Sequence, residues 1–176
     1  MNDIRIRPAT DDDFNAMCTI FQAHVAEGET YAHGPATGRE DCHDYWFAAP
    51  ATSFVAVRGA GRILGMYKLL PNQVARGAHV ANASFMVSPN ARGVGIGRLL
   101  GEHSLEEARR QGFLAMQFNY VVSTNSAAIH LWKRLGFAIV GTLPKAYRHR
   151  RLGYVDAYVM YRLLQDPAGW ELPGEE

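Results

Sequence analysis

A chain of 176 residues, 48% of them hydrophobic, is long enough to bury the core of one domain. Its 18 Lys and Arg against 17 Asp and Glu leave a formal net charge of +1, which excludes the broad electrostatic footprint of a nucleic-acid or acidic-membrane binder. Two cysteines are too few for a disulfide framework, no apolar run approaches membrane-spanning length and the first residues carry no apolar signal region, so a reduced, cytoplasmic setting is expected.

Ile4-Arg5-Ile6-Arg7 alternates and predicts a strand, stopped by Pro8. Thr10 is placed to cap a helix whose first turn, Asp11-Asp12-Asp13, complements its dipole. Phe14, Met17, Cys18, Phe21 and Val25 then form a core stripe at helical spacing. Glu27 to Gly38 reads as loop, and a short helix from Arg39 to Phe47 is closed by Pro50. Ser53 to Arg58 and Arg62 to Leu70 predict a hairpin around Gly59-Ala60-Gly61. Pro71 to Gly77 connects it to a strand from Val80 to Val87, which Pro89 ends. The next helix runs to Gly112, with Ile96, Leu99, Leu100 and Ala108 on its apolar face and Glu102, Glu106, Arg109 and Arg110 opposite.

Phe113 to Val122 has the character of a buried strand. Asn125 to Leu135 predicts a helix with Ala128, Leu131, Trp132 and Leu135 inward, terminated by Gly136. Phe137 to Thr142 and Val155 to Leu164 are the last two strands. The loop around which they fold, Lys145 to Tyr154, carries the densest basic run, Arg148-His149-Arg150-Arg151. A frayed tail is expected from Gln165. Without repeats or linkers, the expectation is one domain over residues 1–164 and a tail over 165–176. The fold class is α/β in the mixed, α+β sense: a mostly antiparallel seven-stranded sheet flanked by about four helices.

The chain is organised around Asn82 to Leu100, a strand, a glycine-rich turn and a helix start. In Arg92-Gly93-Val94-Gly95-Ile96-Gly97, side chains are absent where phosphates approach a backbone. The helix N-terminus adds unpaired N–H groups, and Arg92 and Arg98 add charge, so the turn reads as a pyrophosphate cradle. The dinucleotide fingerprint fails from either Gly93 or Gly95, and the Gly-Lys-Ser/Thr of a Walker loop is absent.

What remains is Arg-x-x-Gly-x-Gly after a strand ending Val-x-Pro, which resembles the acetyl-CoA-binding motif of the GNAT acyltransferase superfamily. Asn125-Ser-Ala-Ala-Ile-His-Leu-Trp-Lys-Arg-Leu-Gly-Phe137 resembles the family's second segment, Asn-x-x-Ala-x-x-x-Tyr-x-x-x-Gly-Phe. The likeness covers residues 3–164 and implies a single-domain GNAT-like fold and an acyltransferase that uses acetyl-CoA as co-substrate, with no metal. It implies cofactor contacts at Phe85, Met86, Val87, Arg92, Gly93, Val94, Gly95, Ile96, Gly97, Arg98, Asn125 and Trp132. The Val87 N–H would face the thioester carbonyl as oxyanion donor. Asn125 is either a pantetheine ligand or a helix N-cap. Trp132 stands where many relatives carry a tyrosine acid. An indole cannot give up a proton at neutral pH, so Trp132 lines the channel or simply packs. Where relatives place a glutamate base, Asn82, Ala83 and Ser84 stand instead.

Without a base, an α-amine of pKa near 8 costs about 1.4 kcal/mol to present neutral at pH 7, and a lysine-like amine costs about 4.6 kcal/mol. The sequence therefore leans toward α-amino acceptors, with Glu29, His33 or a water chain open as bases. A narrower resemblance links Asn82, Asn119 and Asn125 to acetyltransferases of proline analogues such as azetidine-2-carboxylate. It implies catalytic roles for Asn82, holding the attacking nitrogen, and Asn119, beside the Val87 donor that the family likeness implies. The plain alternatives are a strand-bulge residue for Asn82 and a strand-end hydrogen bond for Asn119. A proline-like amine has a lysine-like pKa, which runs against the α-amine lean. Glu29, Thr30 and Tyr31 resemble the substrate loop of amino-acid and phosphinothricin-type acetyltransferases, so the implied acceptor contacts are Glu29, Tyr31, Asn82, Ser84 and Asn119. Tyr147, Tyr154 and Asp156 either close the acceptor pocket or satisfy the nearby backbone.

The expected activity is N-acetylation of a small amine, an amino acid or analogue, with a homodimer by family habit and neither nucleic acid nor membrane as partner. Peptide or protein N-acetylation and a non-catalytic acyl-CoA-binding module are the alternatives.

Overall fold

The computed structural model of the chain describes residues 4–165. Within them lie strands β1 (Ile4–Pro8), β2 (Thr52–Arg58), β3 (Arg62–Pro71), β4 (Val80–Val87), β5 (Ala115–Val122), β6 (Ala138–His149) and β7 (Gly153–Leu163). The helices are α1 (Phe14–Glu27), α2 (Arg39–Phe47), α3 (Ile96–Arg110) and α4 (Ser126–Arg134). The strands form one sheet in the order β1-β2-β3-β4-β5-β7-β6. Every neighbouring pair is antiparallel except β4 and β5, joined by the α3 crossover that parallel strands require. This is the mixed, mostly antiparallel sheet expected from the sequence.

Helices cover both faces. On one, Met17 and Phe21 of α1 and Cys42 and Trp46 of α2 pack on Val55, Val57, Met66 and Met86. On the other, Ile96, Leu100 and Ala108 of α3 and Trp132 of α4 pack on Phe54, Ala56, Tyr67 and Phe118. The β2 strand is therefore buried from Ser53 to Val57 on both sides. Each large side chain so buried contributes about 1.5–3 kcal/mol. Gly65 sets the seating of α3: a Cβ there would meet Leu100 Cδ1 and the Met86 carbonyl at 3.0 Å and Ile96 Cγ2 at 3.1 Å. At the start of α1, the Asp13 carboxylate accepts from both Arg7 guanidinium nitrogens at 2.6 and 2.8 Å and from the Thr10 N–H at 2.9 Å. Asp11–Asp13 form a 3-10 turn, and the α-helix proper starts at Phe14.

Two expectations are corrected. The loop placed at Lys145–Tyr154 is mostly strand, because β6 runs on to His149 and turns directly into β7. It passes Pro144 and Lys145 (φ 52°) through a register shift between Leu143 and Tyr147, which β6 tolerates as the edge of the sheet. The basic run is thus divided between strand end and turn. Leu99 is 38% exposed, since the buried stripe of α3 passes through Ile96, Leu100, Ser104, Leu105 and Ala108 and leaves Leu99 at its margin. The β2–β3 hairpin forms as expected, and within it Val57 pairs with Ile63 and Ala56 with Gly65, so Leu64 is an extra, bulged residue. The expected fraying of the tail concerns residues 166–176, outside those described. Gln165 itself is bonded to the Leu114 and Phe113 carbonyls.

Candidate active site

The parallel β4–β5 ladder holds for only two residue pairs, Val80 with Ala115 and Ala81 with Met116. Beyond them the strands part. The Asn82 amide closes the apex by donating to the Gln117 carbonyl at 2.9 Å. The wedge below opens into a cavity of about 730 Å³, bounded by the α1–α2 loop, β4, the glycine turn, β5 and α4.

Along β4, backbone groups alternate between β3 and the wedge. The Phe85 N–H faces the wedge and donates to the Tyr31 hydroxyl at 3.1 Å, and that hydroxyl donates back to the Phe85 carbonyl. The Val87 carbonyl meets His24 Nε2 at 2.9 Å, whereas the Ser88 N–H turns away to Leu64. The Val87 N–H therefore shares the wedge edge with that of Phe85, as an oxyanion donor requires.

The glycine turn follows. Gly93 (φ 76°) and Gly95 (φ 86°) adopt the left-handed conformation, with nothing within 4 Å of a Cβ built on either. Gly95 is the N-cap of α3, and the first bond of the helix runs from the Leu99 N–H to its carbonyl. The N–H groups before Leu99 are thus left without helical partners. A Cβ on Gly97 would touch Leu131 Cδ2 at 3.4 Å, so close seating of α3 on α4 is that glycine's part. Both arginines expected here are held by carboxylates: Arg92 Nη2 lies 2.8 Å from each Glu27 oxygen, and Arg98 Nε 2.7 Å from Glu102.

Asn125 Oδ1 accepts from the Ala128 N–H at 3.2 Å, which makes it the N-cap of α4, and it also lines the cavity. Trp132 forms the cavity's base, 7% exposed, with ring centroids 4.7 Å from both Phe85 and Phe118. At the other end, Ser84 Oγ accepts from the Tyr45 hydroxyl at 2.9 Å. Asn119 is exposed, donating to Asn72 Oδ1 and accepting from Gln117 Nε2, each at 2.7 Å. Glu29 is paired with Arg151 at 2.5 Å, and the Tyr147 hydroxyl donates to the Tyr31 carbonyl at 3.2 Å. The end of β6 and the turn into β7 therefore pin the loop that roofs this end.

The side chains of three of the expected cofactor residues lie outside the cavity. The Met86 side chain is buried on the α1 face by strand alternation, Val94 is exposed on the turn, and Arg98 points along α3 to Glu102. None of the three lines the cavity. Asp156 satisfies backbone by accepting the Lys145 N–H, and Tyr154 is exposed.

Sequence reasoning passed over His24, Tyr45 and Lys68. His24 lies one turn beyond Phe21 on the buried stripe of α1, and that placement was the available signal. Burial lowers the pKa of His24, and its Nδ1 is buried without a hydrogen-bond partner. The Lys68 ammonium donates to the Tyr45 carbonyl at 2.7 Å and lies 3.3 Å from that ring's centroid. Burial pushes its pKa down to about 8. Burial also raises the Tyr31 hydroxyl well above the ordinary phenol range, so it stays protonated and donates.

A model of the acetyltransferase (GNAT) family matches residues 17–137. The chain is 34% identical over 151 residues to N-acetyltransferase aca1 of Schizosaccharomyces pombe, covering 77% of this chain and 72% of that one. A GCN5-related N-acetyltransferase from Kribbella flavida superposes with a TM-score of 0.88 at 42% identity, over 92% of this chain and 98% of that one. The phosphinothricin acetyltransferase of Sinorhizobium meliloti, solved in complex with acetyl-CoA, shares the fold at 20% identity with a TM-score of 0.82, over 96% and 92% of the two chains.

Proposed function

The chain belongs to the GNAT family of acetyltransferases and is an acyltransferase, and from that premise we propose that it moves the acetyl group of acetyl-CoA directly to the amine of a small molecule, an amino acid or close analogue. The observation that carries the reading is the wedge itself. The edges of β4 and β5, parted from each other, meet a helix N-terminus whose capping glycine is open above its backbone.

In this reading the diphosphate rests on the N–H groups at the start of α3, where the dipole favours negative charge. Arg92 exchanges Glu27 for it. The pantetheine arm follows β4 past Asn125, with Trp132 as an apolar floor. The Val87 N–H, assisted by that of Phe85 once Tyr31 releases it, stabilises the oxyanion as the amine attacks. The thiolate needs no proton from Trp132, because a thiol of pKa about 8.5 is an adequate leaving group.

The acceptor end favours a small substrate over a peptide. Its roof is pinned by Tyr147 and Arg151, and its rim carboxylate, Glu29, is paired with Arg151. Asn82, Ser84 and Asn119 offer neutral polar groups that orient an amine and a carboxylate without added charge. The Asn82 nitrogen is committed to Gln117, so its Oδ1 is the atom that faces the amine.

A cytosolic location and a homodimer belong to the same proposal. Cys18 and Cys42 are free and buried, and among the described residues no helix is long and apolar enough to cross a membrane. Edge strand β6 and its turn expose Val140, Leu143 and Leu152, which sedimentation at micromolar concentration tests as a dimer face.

The activity is tested by incubating the protein with acetyl-CoA, the amino acids and azetidine-2-carboxylate in the presence of a thiol-reactive chromophore. Release of free thiol above hydrolysis with at least one amine supports the reading. Tight acetyl-CoA binding with no release for any amine favours a non-catalytic acyl-CoA-binding module instead.

A further inference from the structure

Four ionisable side chains of the α1–α2 region besides Tyr31 and Tyr45 border the cavity: His24, Glu27, Glu29 and His33. A group that takes a proton from an attacking amine must be unprotonated at neutral pH, have a lone pair to spare and lie at the acceptor end. Glu27 and Glu29 fail the second condition, since Arg92 and Arg151 hold them as ion pairs, and an arginine partner weakens a carboxylate as a base. His24 sits at the opposite end, bonded to the Val87 carbonyl and beside Glu27.

His33 meets all three. Its ring stands edge-on to Phe21, with centroids 4.9 Å apart, and to Tyr45 at 4.7 Å and 86°, so two aromatic contacts fix its plane. Among the described residues neither of its nitrogens has a hydrogen-bond partner. The hydroxyl of the Tyr45 that steadies it donates to Ser84 Oγ, on the neighbour of Phe85. Through Tyr45 the imidazole is therefore linked to the strand that holds the oxyanion donors. It also borders a second, more open groove of about 490 Å³, which gives a proton a way out to solvent.

We propose that His33 is the general base of the transfer, an inference that rests on the small-amine acetyltransferase reading above. The amine lone pair attacks the thioester carbon, the N–C bond forms and the C–S bond breaks. The amine proton passes to a ring nitrogen of His33, directly or through one water, and the thiolate of coenzyme A leaves. The imidazolium then returns the proton to the groove.

The electrostatic setting agrees. Burial, and next the Lys68 ammonium on β3, lower the pKa of His33, while Asp41 on α2 acts against them. Asp44 and Tyr45 also border it from α2, and α1 faces it with the uncharged Phe21. A base of lowered pKa is already neutral at pH 7.

The pH dependence of kcat/KM is the test, run on the amine turned over fastest in the panel. A neutral amine and a neutral His33 are both required. The logarithm of kcat/KM should therefore climb by about two decades per pH unit below the pKa of His33 and by about one between it and that of the amine. In His33→Gln the steep limb disappears and kcat/KM at pH 7 falls by about 100-fold, with acetyl-CoA affinity by calorimetry unchanged. Lys68→Met moves the break upward in pH and Asp41→Asn moves it downward, shifts that a merely structural His33 does not produce. A His33→Gln enzyme within about threefold of wild type across the range, or a break that ignores both charge variants, overturns the assignment. Should His33→Gln fail to bind acetyl-CoA, the two charge variants decide alone. Wild-type turnover with no effect of these changes removes His33 and leaves the transferase standing. No wild-type turnover of any amine removes both.

Discussion

Removing an ion pair beside the glycine turn should tighten cofactor binding. In the free protein Arg92 is held by both oxygens of Glu27 at 2.8 Å, so it reaches a diphosphate only by giving that pair up. Two unit charges at this distance attract by about 1.5 kcal/mol in water. The side chains are 47% and 33% exposed, which reduces the net worth of the pair to about 0.5–1 kcal/mol. Glu27→Gln keeps the side-chain length, abolishes the competition and lifts the repulsion of a second anion from the cavity. Calorimetric titration with coenzyme A should show a dissociation constant about 2- to 5-fold lower than wild type. The gain should shrink in an Arg92→Gln background and in 1 M salt, where screening acts within about 3 Å. An unchanged or weaker affinity in Glu27→Gln contradicts the assignment of Arg92 to the diphosphate.

Gly95→Ala places a Cβ in the left-handed region, costs about 1–2 kcal/mol and lowers the Tm by about 2–8 °C, against a smaller change for Gly97→Ala; equal melting curves count against it. Lys68 is protonated below about 8 in the folded state and to about 10.5 when unfolded, so the unfolded chain binds the extra proton between those values and stability rises with pH across them; urea titrations at pH 8 and 10 should show the rise in wild type and not in Lys68→Met. The hydrogen bonds from Arg7 hold the Asp13 carboxyl below its usual range, so the stability it supplies is full above pH about 4 and is lost as the pH falls through the lower folded value. Asp13→Asn should therefore cost about 1–2 kcal/mol at pH 7 and progressively less as the pH falls below about 4, and a cost that does not diminish in acid speaks against the charged pair. Trp132→Phe should leave kcat within about threefold, since the indole is not a proton donor, while Trp132→Ala loses about 3–5 kcal/mol of stability; a collapse of kcat in Trp132→Phe with an intact Tm makes Trp132 catalytic after all.

What could be read in the sequence is what depends on neighbours along the chain. The glycine turn and the amphipathic α3 are local features legible from residue order, and the Asn125 cap is one of the two roles that order allows. The wedge is not local. It exists because β5 takes β7 as its second partner and leaves β4 after two residue pairs, and no periodicity in either strand records that choice. The same holds for Tyr31, whose hydroxyl finds the Phe85 backbone across 54 positions, and for Lys68 and Tyr45, brought together by a helix packing on a strand. The tip of β6 was missed for a local reason: Pro144 and Lys145 carry loop chemistry, and only an edge strand absorbs them.

The proposed grip of main-chain amides 92–97 on a diphosphate is tested most directly by titrating the protein calorimetrically with acetyl-CoA and, in parallel, with S-acetylpantetheine, which offers the same thioester arm without diphosphate or nucleotide. Micromolar binding of acetyl-CoA and an affinity at least about 30-fold weaker for S-acetylpantetheine is the expected pair of results. Equal affinities, or no heat with acetyl-CoA at all, contradict it.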